Sequence, residues 1–479
     1  MHHFMEPTTL LNKKGFYVFE SDMKLIFPDL SKTNRRVVIT NYFQLESLVN
    51  SAYQNNVLMR LKKINDTPRE FLSLSGIKDP ENDRWRRIRK NRIKAVEIDI
   101  NGLSSVKKIY KEDKLVVVEG GIKVSELNKQ LKPHGLMFPV PLSHGQTIME
   151  VINENLLLAN SYKSGSVKNH IEDVVLMTPS SKLIKTGNRT GDDFCYGYHL
   201  KDLIVGSNYS LGFIVECILK LKEITPYGVL ITIKLEKEWE DDYLEILKNI
   251  RRIDGHQNII NSIRLYNINT YQDLEEGSKS SDHKLLVFYS YSNTIEKKEA
   301  ALKELKSIMQ KEVKWKNNLK AIEFDYDDYK YVNLTKQELR TSNFIDCYVP
   351  LSKVQLILNE LPELAVTPYE VHLIDNSALM RIYTDNKTPE WLDKVTSKVL
   401  RHKGVLCSKK EILDKADPNL ITRIVGYENE IIQKEIKKVF DDKNLLERDG
   451  LFDVHKLSLV ERIKNRHPIY NYLLSWLNL

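Results

Sequence analysis

Val116-Val117-Val118-Glu119-Gly120-Gly121-Ile122-Lys123-Val124-Ser125-Glu126-Leu127 is the stretch on which the fold is read. Its β-branched start fits a half-buried strand. Two consecutive glycines follow, and then Leu127 and Leu131, four apart, mark a helix with Ser125 as the expected N-cap. Lys132-Pro133-His134-Gly135 closes that helix. Glycine is scarce here, 19 of 479 residues or about 4% against a usual 7% or so. A glycine-poor chain must still supply Gly wherever a backbone approaches another group too closely for a Cβ.

Upstream, residues 34–60 read as strand, helix, strand. Arg35 to Thr40 is extended, Phe43, Leu45, Leu48, Val49 and Ala52 recur at helical spacing, and Val57-Leu58-Met59 resumes the strand pattern. Residues 62–94 are polar and basic, and Ala95 to Ile100 is a second apolar run. Downstream, Pro139, Pro141 and Gly145 mark a loop, and Ile148 to Leu158 reads as a helix. Val174–Met177 and Lys182–Lys185 flank a Pro-Ser-Ser turn, and Phe213 to Leu221 is a longer strand. At Pro226 the pattern changes to strand 229–235, helix 239–252, strands 259–266 and 284–291, and helix 295–311. That order predicts an α+β sandwich with helices on one face of an antiparallel sheet. The expected division is an N-terminal extension (1–33), a first domain (34–225), a second (226–450) and a helical tail (451–479).

Composition sets outer limits. Lys and Arg number 72 against 65 Asp and Glu, a net charge of +7, with 42% hydrophobic and 29% charged residues. These values exclude a disordered chain, and the small positive excess does not make the whole molecule a polyanion binder. Cys195, Cys217, Cys347 and Cys407 lie far apart, which excludes a zinc ribbon or a disulfide scaffold and fits a reducing compartment. No metal site is expected. No apolar run reaches the roughly 18 residues of a membrane-spanning helix. Met1 to Pro7 has neither a secretory apolar region nor an Arg/Ser-rich presequence, so a soluble, non-secreted protein is expected.

The opening stretch, with Lys132 to Leu136, resembles the FAD-binding domain of the vanillyl-alcohol-oxidase (PCMH) type, a group that includes D-lactate dehydrogenases and flavin subunits of glycolate oxidase. Ser143-His144-Gly145-Gln146-Thr147-Ile148, Ser164 to His170 leading into Val174-Val175-Leu176, and Tyr198 to Ser207 with Ser210-Leu211-Gly212 match further motifs in the family's order. The likeness runs from about Val37 to Leu221 and continues more weakly to Phe440–Leu446. It implies a two-subdomain PCMH-type FAD-binding fold followed by an α+β substrate-side (cap) domain with an antiparallel sheet. It further implies FAD as cofactor, a small 2-hydroxy acid as substrate, and a mitochondrial location by analogy, the cytoplasm otherwise. If FAD is retained, its contacts are Lys62, Lys63, Ser143, His144, Gly145, Thr147, Gly165, Val167, Gly206 and Gly212.

The glycines that a diphosphate needs are missing from the matching loops. The first loop of active relatives is a run of glycines, whereas Met59-Arg60-Leu61-Lys62-Lys63-Ile64-Asn65 has none. A Gly pair after Thr-Ile is replaced by Met149-Glu150, a later Ala-Gly-Gly by Leu158-Ala159-Asn160-Ser161, and a third-block Gly by Tyr209. The family's terminal Asn-Pro-Gly reads Glu447-Arg448-Asp449-Gly450. Side chains in such loops block the close approach of main-chain N–H groups to phosphate. Lys62 and Lys63 could still act on phosphates as point charges. The expectation is a flavin fold whose FAD is lost or weakly held. No catalytic residue is assigned, although His372 and Arg381 lie nine apart on strand-like segments.

Arg84-Trp85-Arg86-Arg87-Ile88-Arg89-Lys90-Asn91-Arg92-Ile93-Lys94 carries seven positive charges around a Trp. It reads either as a solvated charged loop or as an interaction element for RNA, anionic lipid or an acidic protein face. Three functions follow: a non-catalytic subunit of a larger assembly with other protein subunits as partners, an active FAD-dependent 2-hydroxy-acid dehydrogenase, or an RNA-contacting scaffold. The first is the primary expectation.

Overall fold

The computed structural model describes residues 23–28, 36–62, 95–139, 145–155, 161–187, 197–235, 260–267, 270, 284–311, 319–325, 344–361, 364, 367–374, 377–383, 389–406 and 425–447. The expected helix 239–252, the basic insert 84–94, most of the N-terminal extension and the tail lie outside them.

Arg36–Val38 (β1), Leu58–Leu61 (β2) and Ala95–Asp99 (β3) form a parallel sheet in the order β1-β3-β2. Parallel strands need a crossover, and the helix Tyr42–Gln54 (α1) connects β1 to β2 on the far side of β3. Asn41 caps α1 by accepting the Gln44 N–H, and Leu45, Leu48, Val49 and Ala52 are buried. The central strand β3 is buried along its whole length, and its two carboxylates, Glu97 and Asp99, pair with Arg36 and Lys62.

Next in chain order come Val106–Tyr110 (β4), Leu115–Glu119 (β5), Leu136–Met137 (β6), Ile171–Met177 (β7), Leu183–Lys185 (β8), Phe213–Lys220 (β9) and Lys222–Glu223 (β10). Five of these make an antiparallel sheet, β4-β5-β9-β7-β8, and β6 pairs with β10. The hairpin β7–β8 has the expected register, Met177 opposite Leu183. The sequence reading missed β4, an edge strand whose Lys107 and Lys108 are exposed and break the alternation. The glycine pair ends β5. A Cβ on Gly121 would lie 2.0 Å from the Ile100 carbonyl oxygen, and one on Gly120 2.2 Å from that of Ile214. Gly120 thus allows the close approach of β5 to β9, and Gly121 that of the chain following β3.

The helix expected to start at Ser125 runs Val124–Leu131 (α2), and its N-cap is Lys123, with no side-chain cap. Ser125 is not needed there. Lys123 pairs with Thr147 in a β-bridge, and the Val124 N–H donates to the Gln146 carbonyl. A shorter helix, Ile148–Asn153 (α3), follows.

Beyond Pro226 the strands are Tyr227–Leu235 (β11), Ser262–Tyr266 (β12), Lys284–Ser292 (β13), Leu319–Asp325 (β14), Phe344–Pro350 (β15), Tyr369–Ile374 (β16), Ser377–Tyr383 (β17) and Val405–Leu406 (β18). They form one antiparallel sheet in the order β14-β11-β13-β12-β16-β17-β15-β18. Ile295–Lys311 (α4), Val354–Glu360 (α5) and Pro389–Arg401 (α6) lie between these strands in sequence. Val354 and Ile357 of α5 and Val395 and Val399 of α6 join the same core as Ile263, Val371 and Met380 of the sheet. The α+β class and the antiparallel second sheet are as the sequence implies.

The chain then returns. Helix Tyr427–Phe440 (α7) and the segment after it belong to the first core through Phe440, Leu445 and Leu446, and Leu446 bridges Met59 of β2 in parallel. The return is clamped by a buried ion pair. Lys437 Nζ donates to Asp441 Oδ2 at 2.7 Å, to the Ser210 carbonyl at 2.6 Å and to that of Leu446 at 2.9 Å. Asp441 in turn accepts the Leu445 and Leu446 N–H groups, each at 2.9 Å. The Lys437→Met variant leaves a carboxylate at 0% exposure without its counter-charge, a loss worth about 3–5 kcal/mol in urea unfolding.

His170, at the end of the turn entering β7, is 3% exposed. Burial, then the nearby charge of Lys222, lowers its pKa from 6.5 to about 4. The unfolded imidazole protonates near 6.5 and the folded one only near 4, so the unfolded state binds the extra proton between those values. Stability from this group is complete above pH 6.5 and declines as the pH falls toward 4. His170→Phe flattens that part of the urea-midpoint profile against pH.

Candidate functional site

The second loop of the FAD-type motif is the start of α3. Thr147, 1% exposed, caps it through a capping box. Glu150 Oε2 accepts the Thr147 N–H at 2.8 Å and its hydroxyl at 3.1 Å, while the Glu150 N–H donates to Thr147 Oγ1 at 3.3 Å. The remaining first-turn donors are also used: Ile148 N–H bonds the Ile122 carbonyl at 2.9 Å and Met149 N–H that of Gly120 at 2.8 Å. A helix start ordinarily offers such N–H groups to an anion. Here each has a protein acceptor.

The third block is tied to α3 by Asn153, 1% exposed. Its Oδ1 accepts the Ser207 hydroxyl at 2.9 Å and the Tyr209 N–H at 3.1 Å, and its Nδ2 donates to the Met149 carbonyl at 3.0 Å. The N–H groups of Gly206, Ser207, Asn208 and Ser210 go to carbonyls of Ile152, Ile204, Asn153 and Ser207. Tyr209, where the resemblance expects glycine, is fully buried at φ +64°, a backbone region that costs a bulky residue of order 1–3 kcal/mol. Its hydroxyl donates to Glu154 Oε1 at 2.7 Å. Burial, then the charges of Glu154, Glu150 and Glu447, push its pKa well above 10.

The first loop begins at the end of β2. Met59 is fully buried, its N–H donates to the Leu445 carbonyl at 2.8 Å, and the Leu61 N–H donates to Glu447 Oε1 at 2.8 Å. Lys62 Nζ lies 3.1 Å from Asp99 Oδ2. It is paired with β3.

Of the other residues expected at a cofactor, Val167 is fully buried in the first core and Gly145, Gly165 and Gly206 have positive φ. A Cβ on Gly212 would lie 2.5 Å from the Met177 carbonyl oxygen, so the β7–β9 contact itself requires this glycine. Lys63, Ser143, His144 and the insert residues Arg84, Trp85, Arg86, Arg87, Arg89, Lys90 and Arg92 lie outside the described residues. The sequence reading did not single out Asn153, Lys437 or Asp441. A Lys–Asp pair four apart on an amphipathic helix and a lone Asn in an apolar run were the available signals.

The second sheet brings His372 and Arg381 to one face, opposite its apolar core. Arg381 grips Asp346 with two bonds of 2.8 Å, lies 3.7 Å from Glu370 and stacks 4.0 Å above the Phe344 ring. Glu370 also accepts the Tyr383 hydroxyl at 3.0 Å and lies 3.3 Å from His372 Nε2. Burial lowers the pKa of His372 against the opposing pull of Glu370. Burial raises that of Glu370, but His372, Arg381 and Arg264 together hold it well below the usual carboxylate range. The one-turn helix Ser161–Ser164 of the first unit packs on β16 and β12.

Residues 88–187 match the family model described as an FAD binding domain. The mitochondrial D-lactate dehydrogenase [cytochrome] of Kluyveromyces lactis is 32% identical over 126 residues, 26% of this chain and 22% of that protein. The Arabidopsis thaliana enzyme of the same name is 31% identical over 133 residues, 28% and 23% of the two chains. Glycolate oxidase subunit GlcD of Bacillus subtilis is 27% identical over 121 residues, 25% and 26%. The chain thus matches only about a quarter of the length of these relatives. Among solved structures, an alkyldihydroxyacetonephosphate synthase superposes with a TM-score of 0.53 over 86% of this chain and 76% of that one, at 14% identity. Among the described residues no helix is long and apolar enough to cross a membrane. Residues 88–187 are thus similar to an FAD binding domain, D-lactate dehydrogenases and a glycolate oxidase subunit are similar over about a quarter of the chain, and the fold is of the PCMH type.

Proposed function

We propose that this protein is a flavin-oxidoreductase fold without a working flavin, serving as a non-catalytic subunit of a larger assembly, mitochondrial like its D-lactate dehydrogenase homologues. The observation that carries the reading is the use of backbone donors. A dinucleotide diphosphate is held by main-chain N–H groups at close range. Those at the start of α3 and from Gly206 to Ser210 already have protein acceptors. The charges of Glu154, Glu150 and Glu447 all act on Tyr209 in the same region, and negative charge there opposes an added dianion. FAD does not fit the residues present, and no chemical step is assigned to it here.

The pattern of glycines supports the same reading. Gly120, Gly121 and Gly212 remain where main chain leaves no room for a Cβ. Met149 and Glu150 stand where the resemblance expects glycines, and Tyr209 replaces one even at φ +64°. The cap sheet agrees: the Arg381 guanidinium, a group able to bind a carboxylate, is held bidentately by Asp346. Partners are other protein subunits, with the basic insert 84–94 as a contact for RNA or anionic lipid.

A second reading, an active FAD-dependent dehydrogenase of a small 2-hydroxy acid, draws on the homologues and on the buried His372–Glu370–Arg381 set. Flavin spectroscopy separates the two. The purified full chain is expected to be colourless and to leave FAD fluorescence unchanged in titration. Yellow protein, or dye reduction driven by D-lactate or glycolate, overturns the non-catalytic reading. Salt-sensitive RNA retention abolished by neutralising Arg86, Arg87 and Arg89 would identify RNA as the partner of the insert.

A further inference from the structure

The inner edge of β2 pairs with β3, so the N–H groups of Met59 and Leu61 face the other way, toward the returning C-terminal segment. Main chain answers the first of them. Met59 N–H donates to the Leu445 carbonyl at 2.8 Å, and Glu447 N–H returns to the Met59 carbonyl at 3.0 Å. A side chain answers the second: Glu447 Oε1 takes the Leu61 N–H at 2.8 Å. Glu447 adopts φ +44°, a left-handed conformation that turns its backbone at the end of this short ladder. The Lys437–Asp441 clamp holds the preceding residues, binding the carbonyl and N–H of Leu446 at once. Leu61 is where the chain enters its first glycine-free loop, and the Glu447 carboxylate takes its N–H directly.

We infer that the Glu447 carboxylate is the resident anion of the first loop, an internal substitute for a phosphate oxygen on the Leu61 N–H, and that removing it opens a small-anion subsite there. Carboxylate and phosphate oxygens are interchangeable acceptors for a main-chain donor, and both form the stronger, charge-assisted bond. The inference rests on the closed-site reading above and names the group that closes its first loop. Occupant and diphosphate compete for a single donor.

The test uses the full-length chain, hydrogen-exchange mass spectrometry of peptides covering 57–62, and inorganic pyrophosphate as the probe. In Glu447→Ala the Leu61 amide is expected to exchange about tenfold faster, and millimolar pyrophosphate restores its protection. Wild-type protein shows no pyrophosphate effect. Unchanged exchange in Glu447→Ala, or faster exchange that pyrophosphate does not reverse, overturns the inference. Should the alanine variant fail to fold, Glu447→Gln keeps an acceptor oxygen but loses the charge. It is expected to exchange a few-fold faster than wild type, and wild-type exchange at Leu61 in this variant overturns the inference equally. FAD titration of the wild type reads the closed-site reading separately. FAD binding with Leu61 still exposed by Glu447→Ala sinks that reading and leaves the carboxylate role standing.

Discussion

A main-chain N–H can satisfy one strong acceptor at a time, and a buried one cannot go without. That constraint shapes the first half of this molecule. Sheets and helices of the FAD type bring three loops together, and in such a fold the loop amides face inward around a space. Either a ligand supplies the acceptors or the protein must. Here the described loops supply their own: a capping box at Thr147, carbonyls of Gly120 and Ile122, the Asn153 amide, and the carboxylate of Glu447.

Distant parts of the chain are needed to do this. Met59 and Leu61 meet Leu445, Leu446 and Glu447, which lie nearly four hundred residues further on, after the whole second sheet. The buried Lys437–Asp441 pair joins α7 to the third block through the Ser210 carbonyl and to the C-terminal segment through Leu446. An ion pair at this depth contributes little net stability beyond what apolar side chains would, but it fixes geometry through four hydrogen bonds at defined atoms. The first core is therefore complete only when the end of the chain has docked.

The strands and helices with strong periodicity were legible from sequence: Leu115–Glu119, the β7–β8 hairpin, the long strand from Phe213 and helix Ile295–Lys311 all stand where apolar spacing places them. β4 was illegible because an edge strand carries lysines that erase the alternation. The N-cap moved from Ser125 to Lys123 because a bridge to Thr147, remote in sequence, set where the helix begins. At the site, Thr147, Glu150 and Tyr209 could be found by their loop positions. Asn153, Lys437 and Asp441 left only weak local signals, since their roles depend on partners remote in sequence. Lys62, read as a free charge, is paired because β3 presents Asp99 beside it.

Tyr209 connects these levels. A buried aromatic at φ +64° is a local strain that persists only where the surroundings over-determine it. Asn153 holds its N–H, Glu154 its hydroxyl, and the ring is fully buried in the first core. An unfilled interior costs stability in proportion to the void. The buried Tyr209 ring supplies that packing at the expense of backbone strain, and its hydroxyl is anchored to Glu154 at 2.7 Å.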